Sequence, residues 1–303
     1  LELDPSGPAV HALPGAIFSS NAAAYRSQTG SSNNSGMTIA MTAPSTAPRH
    51  PTLVGHRGAR GEAPENTLAS FQVALEAGVT EMELDVRLSA DGHLIVLHDS
   101  DVTRTTGMRG DVRQYTRSQL GTMDARRNTP GWHSPTGIPS LQEVVELCGP
   151  AMRFQFEVKG ADRVVLHQLA HRLTHMIHEQ QLQSRVVVTS SHTGFLRMIG
   201  TMAPDVERGY VCQYRYLQPT RRAHGLGCNW LMPHYSLVTP ALMRRARKRG
   251  LKVSVWTVND LTEADRLAQL QVDGIITDYP TSFVSHFRRS PRYSSSETAA
   301  LSG

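Results

Sequence analysis

The sequence predicts an α/β fold, a TIM (β/α)₈ barrel, from two observations. Apolar strand-like runs alternate with segments of helical periodicity between residues 52 and 287, which indicates a parallel sheet covered by helices. Two of the runs are too close in sequence for a parallel crossover, and setting one aside leaves eight parallel strands, the number in such a barrel. A doubly wound open sheet is the alternative fold for the same alternation.

Nine apolar runs are strand candidates: residues 52–55, 82–88, 94–97, 153–158, 186–189, 209–212, 229–232, 252–258 and 274–277. Six segments are helix candidates: residues 65–77, 141–147, 164–182, 194–202, 240–249 and 262–270. Only about five residues around Asp91 separate the second and third strand candidates. Because a parallel crossover needs about a dozen residues or more, these two runs are predicted to form an antiparallel hairpin.

One large domain accounts for most of the chain, which has 303 residues, 39% of them hydrophobic. Residues 1–51 are rich in small and polar residues without a sustained period, so we predict a disordered leader or an artefact of the chosen start site. The barrel is predicted to occupy residues 52–287, and residues 288–303 to form a flexible tail.

Composition argues against several classes of partner. The formal net charge is +5, but the basic residues cluster on helical segments and near the chain end, so no nucleic-acid partner is predicted. Three cysteines without Cys-x-x-Cys spacing predict neither a disulfide framework nor a zinc site, and favour a reducing compartment. With no run of about 18 apolar residues and no signal-peptide pattern, we predict a cytoplasmic protein without a membrane span.

Acidic residues recur at the carboxyl ends of the predicted strands, where barrels of this type place their active sites. Glu83 and Asp85 are two apart on one strand, so both carboxylates project from the same face. Glu157 has the same character on the next parallel strand. Because like charges held close together repel, the three carboxylates predict one divalent metal ion, Mg²⁺ or Ca²⁺.

A histidine is predicted beside these carboxylates. A hairpin turn centred between Ala90 and Asp91 pairs His98 with Glu83, and a shifted register pairs it with Asp85. Either pairing places an imidazole next to the metal ion, where it can donate or accept a proton at the reacting oxygen.

The first strand ends in a second group with phosphate chemistry. His56 and Arg57 stand between Gly55 and Gly58, and the glycines let a ligand approach the backbone closely. Arg57 offers a planar fork for two phosphate oxygens, and Lys159 adds a second positive charge. A metal ion, two histidines and two cations around one cavity predict phosphoryl chemistry.

Other polar residues have weaker signals. Glu65 and Asn66 begin the first predicted helix and are possible supporting residues, with Asn66 or Thr67 as its N-cap. Trp256 is predicted to form a pocket wall rather than core. Four histidines at helical spacing are predicted to face solvent and to have no catalytic role: His167, His171, His175 and His178.

At this point the motifs resemble the glycerophosphodiester phosphodiesterase family. The resemblance spans residues 53–280 and rests on motifs that occur in the family's order and spacing: His56-Arg57-Gly58, Glu65-Asn66-Thr67, Glu83-Leu84-Asp85-Val86, Asp91-Gly92 through His98-Asp99, Phe156-Glu157-Val158-Lys159, Val255-Trp256-Thr257-Val258-Asn259 and Asp273-Gly274-Ile275-Ile276-Thr277-Asp278-Tyr279-Pro280. One departure is Thr189-Ser190-Ser191-His192, where the family often has Ser-Phe.

The resemblance implies a phospholipase C-like phosphodiesterase barrel that hydrolyses glycerophosphodiesters to sn-glycerol 3-phosphate and an alcohol. It implies one metal ion on Glu83, Asp85 and Glu157, with His56 and His98 as the general base and acid. Base is assigned to His56 and acid to His98, but the reverse assignment stays open. A route through a cyclic phosphate stays open as well.

A variable insertion is expected at residues 106–139, near the barrel mouth, where it shapes substrate choice. Two alternatives remain at this point: a lysophospholipase D-like activity on the same barrel, and a barrel that binds phosphodiesters without cleaving them.

Overall fold

A computed structural model describes residues 50–214 and 218–289, and in these residues the chain forms a closed barrel. Eight strands pair in parallel around it, and the barrel closes where the first strand pairs with both the second and the last. The barrel strands are β1 (Thr52–His56), β2 (Glu81–Leu88), β4 (Arg153–Val158), β5 (Val186–Ser190), β6 (Glu207–Cys212), β7 (Trp230–Pro233), β8 (Lys252–Val255) and β9 (Gly274–Thr277). The TIM-barrel prediction is confirmed, and closure excludes the open sheet.

A ninth strand, β3 (Leu94–Val96), pairs antiparallel with β2, as the short loop between them predicted. The register differs from both predicted alternatives by one residue, because Leu88 pairs with Leu94 and Val86 with Val96. The turn is centred on Asp91, and Gly92 adopts a left-handed φ of 77° there, a conformation common in hairpin loops that end in glycine. Both predicted pairings of His98 are therefore wrong.

Ten helices lie in the described residues: α1 (Leu68–Ala77), α2 (Thr103–Thr106), α3 (Arg117–Thr122), α4 (Leu141–Cys148), α5 (Arg163–Glu179), α6 (Thr193–Met202), α7 (Pro219–Gly225), α8 (Pro240–Arg247), α9 (Leu261–Gln269) and α10 (Pro280–Arg289). Helix α10 was not predicted, although it begins at a proline and buries Phe283 and Phe287 one turn apart. It extends into the first two residues of the predicted tail. The rest of that tail, and the predicted leader before His50, lie outside the described residues.

Side-chain caps explain where several helices begin. In six of them an oxygen of the N-cap side chain accepts the backbone N–H three residues further on: Thr67, Thr116, Ser140, Asp162, Thr239 and Asp260. Each cap satisfies a backbone donor that the helix itself leaves unpaired, which contributes about 1 kcal/mol. Thr67 is therefore the cap of α1, and this settles the choice between Thr67 and Asn66.

Strand β5 shows how the core is divided. Val186 and Val188 pack outward into the apolar layer between strands and helices, whereas Val187 packs inward with Val211 and Met232. Burial on both faces explains why the strands are nearly continuous apolar runs in the sequence. Each such buried side chain contributes about 1.5–3 kcal/mol to folding. The inward cluster also forms part of the wall of the cavity described below.

The segment between β3 and α4 contains the predicted insertion and folds around an apolar cluster of its own. This cluster consists of Ile95, Leu97, Val102, Val112, Leu120, Ala125 and Ile138. Helices α2 and α3 and a 3₁₀ turn at Val112–Gln114 surround it. The segment is thus an ordered unit attached to the hairpin, and it carries polar side chains toward the mouth of the barrel.

Candidate active site

A cavity of about 280 Å³ opens at the carboxyl ends of the strands. Seven of the ten predicted site residues line it: His56, Arg57, Glu83, His98, Glu157, Lys159 and Trp256. The remaining lining residues are Arg60, Gln155, Thr189, Val211, Met232, Thr257 and Ile276. The other three predicted residues, Asp85, Glu65 and Asn66, lie behind this surface and contact the residues on it.

The three predicted metal ligands come together. Asp85 pairs with Glu157 across β2 and β4, and one carboxylate oxygen from each of Glu83, Asp85 and Glu157 lies within 4.8 Å of the others. Asp85 is completely buried, and Glu83 is 4% exposed. In the described part of the chain this is the group of acidic side chains that could hold a metal ion.

The electrostatics of this group fit a cation. Burial, together with the negative charges of Asp85 and Glu157, raises the pKa of Glu83 well above its ordinary value. Oδ1 of Asp85 accepts no hydrogen bond from any described residue, although Nζ of Lys159 lies 3.0 Å away. A divalent ion would offset the excess negative charge and coordinate this oxygen.

Positive side chains border the carboxylates. Nζ of Lys159 lies 2.7 Å from Glu157 Oε2, and Nε of Arg57 lies 3.1 Å from Asp85 Oδ2. Asn66 has a left-handed φ of 56° and donates its amide N–H to Asp85 Oδ2 at 3.0 Å. Burial would raise the pKa of Asp85, but the charges of Lys159 and Arg57 lower it. Asn66 therefore supports a carboxylate and does not cap a helix.

His56 is oriented by a carboxylate that the sequence analysis did not select. Its Nδ1 lies 2.5 Å from Asp278 Oδ1, and Asn259 donates to the other oxygen of Asp278 at 2.8 Å. Nε2 of His56 lies 3.8 Å from Glu83 Oε2. Burial lowers the pKa of His56 despite the bond to Asp278. The ring is thus held at Nδ1, with Nε2 toward the acidic group.

His98 has an equivalent arrangement. Its Nδ1 lies 2.6 Å from Asp99 Oδ1, and Nε of Arg104 donates to Asp99 Oδ2 at 2.5 Å. Arg87 holds the backbone oxygen of His98 through two donors, at 2.7 and 3.2 Å. Because β3 ends at Val96, these contacts in the following loop, rather than the strand ladder, place the imidazole at the cavity. Burial lowers the pKa of His98.

Glu65 binds several arginines at the mouth of the barrel. It accepts hydrogen bonds from Arg57 at 2.7 Å, from Arg104 at 2.7 and 2.8 Å and from Asn128 at 2.8 Å. Arg60 Nε is 3.4 Å from Glu65 Oε2. Burial alone would raise the pKa of Glu65, but the bonds from Arg104 and the charge of Arg57 lower it to about 2. Glu65 is therefore an ionised anchor for Arg57.

Four residues that contact the site were not among the predicted site residues, and they differ in whether the sequence indicates them. Asp99 and Asp278 lie just after strand-like runs and within the motifs of the family resemblance, but neither was given a role in the predicted site. Arg104 and Asn128 contact Glu65 across 39 and 63 residues, and no local pattern predicts such contacts.

Three further predictions concern Trp256, the segment that departs from the family pattern and the histidines of α5. Trp256 lines the cavity and donates its indole N–H to the Met232 carbonyl at 2.9 Å. At the departure from the family pattern, Thr189 contributes to the cavity wall and His192 caps α6. The four histidines on α5 are all exposed, as predicted.

With this geometry in view, similarity to known proteins is decisive. Residues 56–282 match the glycerophosphoryl diester phosphodiesterase family. The chain belongs to this family. Members of the family hydrolyse phosphodiesters, so the predicted enzyme class is confirmed. Within the described residues, no helix is both long and apolar enough to cross a membrane.

The matches to individual relatives cover most of each relative's length. The chain is 34% identical over 238 residues to a glycerophosphodiester phosphodiesterase of Caldanaerobacter subterraneus, covering 78% of this chain and 98% of the relative. A phosphodiesterase of Oleispira antarctica, solved in complex with the product sn-glycerol-3-phosphate, matches with a TM-score of 0.72 and 27% identity, over 78% of this chain and 96% of that one. A glycerophosphodiester phosphodiesterase of Agrobacterium tumefaciens matches with a TM-score of 0.68 and 26% identity, over 78% of this chain and 99% of that one.

Proposed function

We propose that this family member hydrolyses glycerophosphodiesters to sn-glycerol 3-phosphate and an alcohol, with His56 and His98 as the acid–base pair. The observation that carries the proposal is that both imidazoles line one cavity with the acidic group, each held through Nδ1 by its own aspartate. The product bound to the Oleispira antarctica relative supports the choice of substrate.

The acidic group is proposed to hold one divalent metal ion, Mg²⁺ or Ca²⁺, through Glu83, Asp85 and Glu157. When bound, the ion supplies positive charge to the phosphoryl oxygens, where negative charge develops in the transition state. Arg57 and Lys159 line the same cavity and are proposed to bind the remaining phosphate oxygens. Arg57 is held for this task by Glu65.

The proton transfers follow from the free ring nitrogens. We assign His56 as the base that takes a proton from the attacking water, and His98 as the acid that protonates the leaving alcohol. A phosphorus–oxygen bond to water forms, and the bond to the alcohol breaks. If the neighbouring glycerol hydroxyl attacks first, the same two histidines serve, and a cyclic phosphate is released or opened by water.

The size of the cavity favours a small diester. Its volume of about 280 Å³ lies just below the range of roughly 300–1,000 Å³ that is usual for ligand pockets. One wall is apolar, formed by Val211, Met232, Trp256 and Ile276, and suits the carbon skeleton of a head group. A lysophospholipid has a long acyl chain that this volume does not enclose.

Product analysis tests the proposal. The protein would be incubated with glycerophosphocholine, glycerophosphoethanolamine or lysophosphatidylcholine, and the phosphate products identified by ³¹P NMR. We expect sn-glycerol 3-phosphate from the first two and little turnover of the third. Faster turnover of lysophosphatidylcholine would support the lysophospholipase D-like activity instead, and binding without any turnover would support the non-catalytic barrel. We propose a cytoplasmic location, because three cysteines without Cys-x-x-Cys spacing favour a reducing compartment.

A further inference from the structure

The segment between β3 and α4 is attached to the site by polar contacts as well as by its apolar cluster. Arg104, on α2, and Asn128, after α3, both donate hydrogen bonds to Glu65. The Glu65 side chain is only 1% exposed. The segment between β3 and α4 supplies three of the four hydrogen bonds that Glu65 accepts. The segment is therefore connected to the phosphate side of the cavity.

Arg104 also reaches the histidine side. Its Nε donates to Asp99 at 2.5 Å, while Nη1 and Nη2 donate to the two oxygens of Glu65 at 2.7 and 2.8 Å. Asp99 holds Nδ1 of His98, and Glu65 holds the guanidinium of Arg57. One guanidinium thus joins the carboxylate behind His98 to the carboxylate behind Arg57.

We propose that Arg104 is a positioning residue for the hydrolysis. It fixes Asp99, and through Asp99 the ring of His98, relative to Arg57 and the bound phosphate. Arg104 does not line the cavity and acts through Asp99 and Glu65. The inference deepens the proposed function and rests on it, because it assumes that His98 transfers a proton in the reaction. It gives the segment between β3 and α4 a role in catalysis, besides the role in substrate choice that is expected of residues 106–139.

The geometry requires arginine and not merely a positive charge. Three N–H groups of a planar fork address two carboxylates at once, which a single ammonium group on a flexible stem does not reproduce. Arg104→Lys should therefore keep the charge beside buried Glu65 but lose the bridge. This separates positioning from simple charge compensation.

The test compares two substrates that differ in their need for an acid: glycerophosphocholine, and the p-nitrophenyl ester of glycerol 3-phosphate, whose leaving group departs without a proton. For glycerophosphocholine, Arg104→Gln should lower kcat about tenfold, less than loss of a general acid itself, and change KM by less than about twofold. For the p-nitrophenyl ester, both His98→Ala and Arg104→Gln should show a much smaller loss. Arg104→Lys should resemble Arg104→Gln.

Arg113→Gln is the matched control, because Arg113 belongs to the same segment and pairs with Asp111 and Asp162 on the surface. It should leave both substrates unaffected. If Arg104→Gln loses stability in a thermal melt, Arg104→Lys carries the test, since it keeps the charge near Glu65.

Three results would overturn the inference: equal losses on both substrates while His98→Ala discriminates between them, a change in KM alone, or full rescue by lysine. Each of these requires an active wild-type enzyme. If wild type released no product from either substrate, the proposed function itself would fail, so the two failures are distinct.

Discussion

His56 and Asp278 form a direct contact, with Nδ1 of the imidazole 2.5 Å from Oδ1 of the carboxylate. Burial alone would raise the pKa of Asp278, but the hydrogen bond and charge of His56, the hydrogen bond from Asn259 and the charge of Arg60 together lower it. An ionised carboxylate only accepts hydrogen bonds, so Nδ1 carries the proton and Nε2 has a free lone pair. The pair therefore prepares Nε2 to act as a base.

Asp278→Asn should lower kcat on the order of 100-fold, because an amide can donate to Nδ1 and move the ring proton to Nε2. Metal affinity should change little. Asp265→Asn is the control, since Asp265 pairs with His286 away from the site at 2.9 Å, and it should be neutral. Steady-state kinetics measure both variants, and near-normal kcat for Asp278→Asn would refute the orientation of His56.

His98→Ala should reduce kcat for glycerophosphocholine by about 10²–10⁴, the usual contribution of a general acid. Its affinity for the metal ion should be nearly unchanged, because the carboxylate group is intact. His93→Ala removes a histidine from the same hairpin that is paired only loosely, 3.8 Å from Asp91, and should retain activity. Near-normal turnover by His98→Ala would show that the acid–base assignment is wrong.

Glu83→Gln should weaken metal binding and activity together, because it removes one of the three carboxylates that are proposed to bind the ion. Calorimetric titration with Mg²⁺ and Ca²⁺ measures the affinity, and kcat is measured at saturating metal. Glu263→Gln, in a surface pair with Arg266, serves as the control. Unchanged metal affinity in Glu83→Gln would remove this residue from the proposed ligand set.

The stability contributed by Glu65 should depend on pH. Its pKa is about 2 in the folded protein against an ordinary value of 4.5. A depressed pKa means that the contribution is complete above the unfolded value and is lost as pH falls through 4.5 toward 2. The difference in unfolding free energy between wild type and Glu65→Gln should shrink by about 2 kcal/mol from pH 6 to pH 3. Urea unfolding measures it, and a constant difference would contradict an ionised Glu65.

Much of the fold could be predicted because its causes are local. Strands β4 and β9 match their predicted limits at both ends, since apolar runs buried on both faces stand out from polar loops. The number of residues between β2 and β3 revealed the hairpin. Its register could not be predicted to one residue, because it depends on the exact turn that Gly92 allows.

The site residues that lie at the ends of strands could be predicted from the sequence. Glu83 and Asp85 share a strand face, and β4 brings Glu157 beside them, so alternation and topology were sufficient. The network around Glu65 depends on tertiary placement of Arg104 and Asn128 by the inserted segment. Contacts between residues so far apart in sequence depend on tertiary packing and cannot be predicted from spacing along the chain.

The most direct measurement is release of sn-glycerol 3-phosphate from glycerophosphocholine by protein stripped with EDTA, before and after Mg²⁺ or Ca²⁺ is restored. The proposed mechanism predicts no release after stripping and full recovery with one of the two ions. Equal release with and without metal would contradict the role proposed for the three carboxylates, and no release under any condition would contradict the proposed reaction.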